Sequence, residues 1–273
     1  MEQQSVRTIR KTFKYRLMPT PVQARALESA LMRCRTLYNV ALEQRKTWWG
    51  RGHGVGATYY QQAMELPDLK AACPEYEEVH AQALQDVLRR VDKTYQAFFR
   101  RVQAGETPGY PRFQGATRYH SFTYPQYANG AVLDGGTLSL SKIGRIPIRL
   151  HRPLEGTPKT ATICKEADGR YACFSCAEVP TGPLPLTGRE TGIDVGLKVF
   201  LVTADGSVVE NPRKHRKAEK GLKTSQRCVS RRKKGSKRWW KAVHQCGKKH
   251  QKVTRQRSDF HHKVALAWCE STM

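Results

Sequence analysis

The sequence predicts an α+β fold, with helices set into a small antiparallel β module and a second strand pair leading into a basic helical stretch. Three observations carry that reading. Short alternating segments such as AVLDGGTLSLS, RIPIRL and RYACFSCAEV, broken by DGG, PLEGTP and ADG turns, have the period of antiparallel strands. Between them and an early strand lies AQALQDVLRRVDKTYQAFFRRVQ, whose apolar residues recur at helical spacing. From Arg213 to Lys263 the only acids are Glu219 and Asp259, in a lysine- and arginine-rich run of helical propensity.

The first element is KTFKYRLMP, Lys11 to Pro19, where Phe13, Tyr15 and Leu17 alternate with Lys14 and Arg16: a half-buried strand with a basic outer face. Thr20 then caps a helix whose first residue is Pro21. Its apolar stripe runs Leu27, Ala30, Leu31, Cys34, Tyr38, Ala41, Leu42, and GRGHGVG, Gly50 to Gly56, interrupts it. On the long helix that follows, Leu84, Val87, Leu88, Val91, Tyr95, Phe98, Phe99 and Val102 form one face, expected to be core, and Arg89, Arg90, Lys93 and Arg100 the other. GETPGYPRFQG is too rich in Gly and Pro to be helical. The β module resumes near Gly109, PTGPLPLTGRE is a linker, and GIDVGLKVF with FLVTADGSVV makes a hairpin-like pair around Asp205 and Gly206.

The formal net charge is +25, with a pI near 10.0. An excess of that size points to a polyanionic partner, of which nucleic acid is the commonest. Like charges as dense as those around Arg231, Arg232, Lys233, Lys234, Lys237 and Arg238 repel unless an anion lies against them, which marks these residues as phosphate contacts. No run of about 18 apolar residues is present, so no membrane partner is expected, and the N-terminus lacks a signal-peptide core. Eight cysteines without framework spacing suit a reducing compartment, and the expected localisation is cytoplasmic. Cys173 and Cys176 are spaced as half a zinc site but have no second pair, and on a strand they point to opposite faces.

Asp194, inside GIDVGLKVF, reads as a carboxylate at the end of a buried strand, where a charge needs a partner. It has three readings: a structural strand-end Asp, the opening of a sugar-kinase or actin-like phosphate hairpin, or the metal-binding Asp of an RNase H-like nuclease. The flanks favour the last. A basic helical segment follows, where an ATPase would need a second, glycine-rich lobe.

KTFKYRLMPTPVQ, ALQDVLRRVDKTYQAFFRRVQAGETPGYPRFQG, TGIDVGLKVFLVTADG, SRRKKGSKRWWKA and RSDFHHKVA occur in the order found in TnpB (OrfB) proteins of bacterial insertion sequences, and the chain resembles that family. The resemblance implies a β-barrel-like wedge domain (residues 1–20 and 105–188), an inserted helical recognition domain (21–104), and part of a RuvC-type, RNase H-like nuclease domain (189–273). It further implies a transposon-associated, RNA-guided DNA endonuclease with guide RNA and DNA as partners. Mg²⁺ would be the cofactor and Asp194 the first catalytic, metal-binding residue. The later catalytic Glu and Asp of that pattern, and its four-cysteine zinc ribbon, have no counterpart in these residues. The expectation is therefore a C-terminally truncated chain that does not cleave alone, with a second chain as one source of the missing part. A non-cutting RNA- and DNA-binding repressor or competitor, and a non-functional remnant, are the alternatives. Gln82 and Gln85, on the polar side of the long helix, and Thr123, in HSFTYP, are candidate readers of the DNA motif. Gln pairs with adenine N6 and N7, and a Thr methyl meets the thymine methyl.

Overall fold

The structure is a computed structural model that describes residues 7–50, 57–181 and 190–271. The fold is α+β, and the chain divides into two compact units, Met1–Thr181 and Gly182–Met273. Most of the GRGHGVG break and of the PTGPLPLTGRE linker lies outside the described residues.

In the first unit, β1 (Arg7–Leu17) is a central strand of a seven-stranded, barrel-like sheet. Its alternation does what the sequence requires: Phe13, Tyr15 and Leu17 are buried, while Lys14 and Arg16 carry the polar face. The other strands are β2 (Ser121–Tyr124), β3 (Ala131–Asp134), β4 (Thr137–Leu140), β5 (Gly144–Arg149), β6 (Thr157–Glu166) and β7 (Gly169–Thr181). Their order is β2-β6-β7-β1-β5-β4-β3, with every pairing antiparallel. β1 pairs with β7 along nearly its whole length, Phe13 facing Phe174 and Leu17 facing Arg170.

Between β1 and β2 the chain forms helices α1 (Pro21–Gly50), α2 (Tyr59–Met64), α3 (Leu66–Ala72) and α4 (Ala81–Gln103). α1 starts where its cap demands: Thr20 Oγ1 accepts from Gln23 N at 3.3 Å, and Gln23 Oε1 accepts from Thr20 N at 3.0 Å, a reciprocal capping box. The α1 stripe from Leu27 to Leu42 is buried against α4, whose Leu84, Val87, Leu88 and Val91 are fully enclosed. These residues and the sheet interior form one apolar core.

The expectation that the whole apolar face of α4 is core fails at its C-terminal end. Phe99 and Val102 are exposed there, because α1 ends at Gly50 and no described element covers them. On β7, Cys176 is buried whereas Cys173 turns to the other face, with its Sγ 3.9 Å from that of Cys164. The tight start of β6 is set by Gly156, whose φ is +72° and whose missing Cβ would lie 2.5 Å from the Ala177 carbonyl oxygen.

The second unit holds a three-stranded meander, β8 (Ile193–Asp194), β9 (Leu201–Thr203) and β10 (Val208–Val209), followed by α5 (Lys214–Ser230) and α6 (Lys237–Ser271). The two helices pair through a thin seam of Leu222, Ala242, Cys246 and Val253. Replacing Gly156 by Ala combines left-handed strain with a backbone clash and should destabilise the first unit by about 2 kcal/mol or more. A urea midpoint that does not move would contradict this.

Candidate nucleic-acid interface

Asp194 is not the buried strand-end carboxylate expected from its apolar neighbours. β8 spans only Ile193 and Asp194 and lies at a sheet edge, paired to β9 through Ile193 with Thr203 and Asp194 with Val202. Asp194 itself is exposed, as are Val195 (65%) and Leu197 (93%). The cause is that among the described residues of this unit no layer packs onto that face, so alternation alone does not bury it. Asp205, by contrast, serves the β9–β10 turn. It accepts from the Thr203 hydroxyl and from Ser207 N, and these bonds hold its carboxyl below the usual range.

One residue beyond Asp194 a cleft of about 530 Å³ opens, walled by Val195, Gly196 and Leu197. Asn211 ties that wall to the start of α5: its Nδ2 donates to Leu197 O at 3.1 Å and its Oδ1 accepts from Arg213 N at 3.0 Å. The opposite side brings the N-cap residue Arg213, and Lys214 and Arg216 of the first turn of α5, together with Arg257 and His261 of α6. Phe200 packs under them, 4.9 Å from the Phe260 ring and stacked on His261 at 5.3 Å. Among the described residues no carboxylate lines the cleft. A helix N-terminus with free N–H groups and several cations is a ready anion site. The sequence shows Arg213, Lys214, Arg216 and Arg257 only as members of the basic run from Arg213 to Lys263; their convergence on one cleft needs the meander, α5 and α6 to be folded.

At the far end of α5 the chain turns through Arg231–Ser236, with Gly235 at φ +85°. Arg231, Lys233, Lys234, Lys237 and Arg238 are exposed, and Arg232 is half-buried, donating to Arg238 O at 3.2 Å. Among the described residues no carboxylate pairs with any of them. Trp239 and Trp240 stand edge to face beside this tip.

In the first unit the three candidate readers follow the α4–β2 seam. Gln82 Nε2 donates to Gln126 Oε1 at 2.6 Å, Gln85 is half-buried one turn on, and the Thr123 hydroxyl is already engaged. Its partners are Thr162 Oγ1 at 2.9 Å and Arg90 Nη2 at 2.6 Å. Arg90, read from sequence as part of a basic outer face, is the organiser of this seam. Its Nε also donates to Asp86 Oδ2 at 2.8 Å and its Nη1 to Ser121 O at 2.7 Å. Arg89 stays exposed, its Nε donating to the Tyr59 hydroxyl at 3.2 Å along the helix surface.

Among the described residues no three His, Cys, Asp or Glu side chains come together as a metal would need. One exposed carboxylate does not match the several that a two-metal site requires. The Mg²⁺ implied by the resemblance thus has no fitting donor set in these residues, and no step is routed through it. No helix among the described residues is long and apolar enough to cross a membrane.

Comparison with known proteins agrees with a class of mobile-element proteins. The family profile OrfB_IS605, described as "Probable transposase", matches residues 174–268, which include Asp194, the cleft and the basic tip. The helix-turn-helix profile of the same family matches residues 9–54, whose described part, up to Gly50, holds the end of β1 and the single long helix α1. Over these two stretches the chain is similar to the OrfB (TnpB) family. A Streptomyces pristinaespiralis protein is 32% identical over 264 residues, which cover 94% of this chain and 63% of the relative. InsQ of Escherichia coli K12 is 27% identical with the same coverage. Both are titled "Putative RNA-guided DNA endonuclease". The chain thus spans 63% of the length of these curated relatives. A solved Cas12f1–sgRNA–target DNA complex aligns with 96% of this chain and 68% of its own, at 14% identity and a TM-score of 0.36.

Removing the Arg90 guanidinium leaves the Asp86 carboxylate and the Ser121 carbonyl unpaired at a part-buried seam. Arg90→Leu should therefore cost about 2–3 kcal/mol in urea unfolding. Arg90→Lys, which keeps the charge but loses the fork, should recover only part of it.

Proposed function

We propose that this chain acts in RNA-guided, transposon-associated DNA cleavage, and that residues 1–273 contribute its nucleic-acid grip and one carboxylate of its nuclease centre. The observation that carries this reading is the pairing of a cationic cleft beside Asp194 with an unpaired basic tip at the other end of α5. Both fit backbone phosphates, and neither has a carboxylate to neutralise it within the described residues. In this reading the β module (1–20 and 105–188) is the wedge, residues 21–104 are the recognition insertion, and residues 189–273 belong to the RuvC-like part. Gln82 and Gln85 are proposed to read base edges from the α4–β2 seam. With its hydroxyl occupied by Arg90 and Thr162, Thr123 has only its methyl group to offer a thymine.

Guide RNA and target DNA are the proposed partners, and Asp194 the proposed first Mg²⁺ ligand. Its remaining partners would come from a further stretch of chain or from a second chain. A non-cutting repressor or guide competitor is the second reading, favoured by the single exposed carboxylate at the nuclease position.

Phosphate contacts release counterions, so affinity should fall steeply with salt. Replacing Arg231, Arg232, Lys233 and Lys234 by Ala should make the log–log slope shallower by about 0.9 per contact removed on duplex DNA. Binding that barely changes between roughly 50 and 200 mM salt would refute the grip. Polypeptide 1–273, supplied with guide RNA, motif-bearing DNA and Mg²⁺, should leave the DNA intact. Cleavage that vanishes in Asp194→Ala would show that other groups complete the centre.

A further inference from the structure

At the C-terminal ends of α1 and α4 an aromatic cleft of about 430 Å³ stands open. Trp49, Phe98, Phe99 and Tyr110 line it, with Tyr95, Asp92 and Arg45 at its base. The rings are ordered against one another: Trp49 to Phe99 is 6.0 Å, Phe98 to Phe99 5.3 Å and Phe98 to Tyr110 5.4 Å. Tyr95 and Tyr110 join through their hydroxyls at 2.9 Å. Yet Trp49 is 59% exposed and Phe99 41%. Large apolar rings held in place but left facing solvent mark a binding surface.

Two further observations say what it binds. Arg45 is only 7% exposed, and its Nε donates to Gln62 and its Nη1 to Asp92, each at 2.9 Å. Its Nη2 is enclosed and its guanidinium lies 5.5 Å from the centre of the Tyr95 ring, so a buried positive charge sits beneath the rings. Beside the cleft, Arg89, Lys93 and Arg100 are exposed at i, i+4 and i+11, one stripe along α4 that flanks the cleft-lining Gln96. Flat rings over a cation and a parallel row of exposed cations complement two parts of a nucleotide, the base face and the phosphate. An apolar protein side chain would use the rings alone. It has no reason to lie beside cations.

We propose that this cleft is a stacking site for an unpaired nucleobase of single-stranded nucleic acid, with neighbouring phosphates on the Arg89, Lys93 and Arg100 stripe. This deepens the proposed function, since it assigns to the helical insertion a single-strand grip separate from the phosphate contacts of the second unit. The site tolerates any base, because each carries a π face.

The test compares two labelled oligonucleotides of about ten nucleotides, within the span one such site covers. One is oligothymidylate and the other has the same phosphates with abasic residues, and both are bound to the full 273-residue chain. The wild type should prefer the oligonucleotide with bases by about 5- to 150-fold, the contribution of one stacked base. Trp49→Ala and Phe99→Ala, at exposed positions that leave the core intact, should erase that preference while the salt dependence stays the same. A preference that survives in both variants, or that is absent in the wild type, overturns the stacking site but leaves phosphate binding standing. No binding of either oligonucleotide overturns both. Self-association without nucleic acid that is lost on Trp49→Ala would put a second copy in the cleft and also overturn the proposal.

Discussion

The architecture of the first unit hangs on one long-range pairing, β1 with β7. β1 is made at the start of the chain, yet its neighbours in the sheet are β5 and β7, separated from it by the entire helical insertion. Because Phe13 and Tyr15 face Phe174 and Ala172 across this pairing, registry and core packing are the same event. A slip of one residue would turn the buried rings to solvent and the lysines inward. The helices are fastened to the sheet by the shared apolar core, by Arg170 of β7, whose Nη2 donates to Ala24 O and Glu28 of α1, and by the Arg90 fork that reaches from α4 to the β2 backbone.

Much of this unit was legible because its signals are local. The alternation of Phe13, Tyr15 and Leu17, the Thr20-Pro21 start and the stripe of α1 each state a periodicity that the fold honours. Two readings failed for one reason: periodicity tells which residues share a face, but not whether anything covers that face. Phe99 and Val102 continue the α4 stripe past the end of α1, and Val195 and Leu197 continue an apolar strand that nothing overlays within its unit. Arg90 erred the other way. Helical spacing puts this cation on the face opposite the core, whereas a seam two turns into α4 places three acceptors around it.

The candidate site divides in the same manner. The basic tip could be read from the sequence because its residues are consecutive, and a charge run needs no fold to be visible. The cleft beside Asp194 draws on Gly196, Lys214 and Arg257, which are far apart in sequence and meet through the meander and the α5–α6 pair. The charge that makes both useful is also a load on the second unit. Its helices hold together through a narrow apolar seam against the mutual repulsion of their cations, and an anion on either site would relieve that repulsion.

The α5 helix sets the separation of those two sites. Its 17 residues run from the cleft at one end to the basic tip at the other, about 25 Å at 1.5 Å per residue. On a duplex that distance is about seven base-pair steps at 3.4 Å each. A strand seated at both ends is therefore measured as well as held: lengthening or shortening α5 by one turn would move the tip by about 5.4 Å along the axis and swing it around. The length of α5 would then act as a ruler, fixing how many nucleotides separate the carboxylate from the second point of grip.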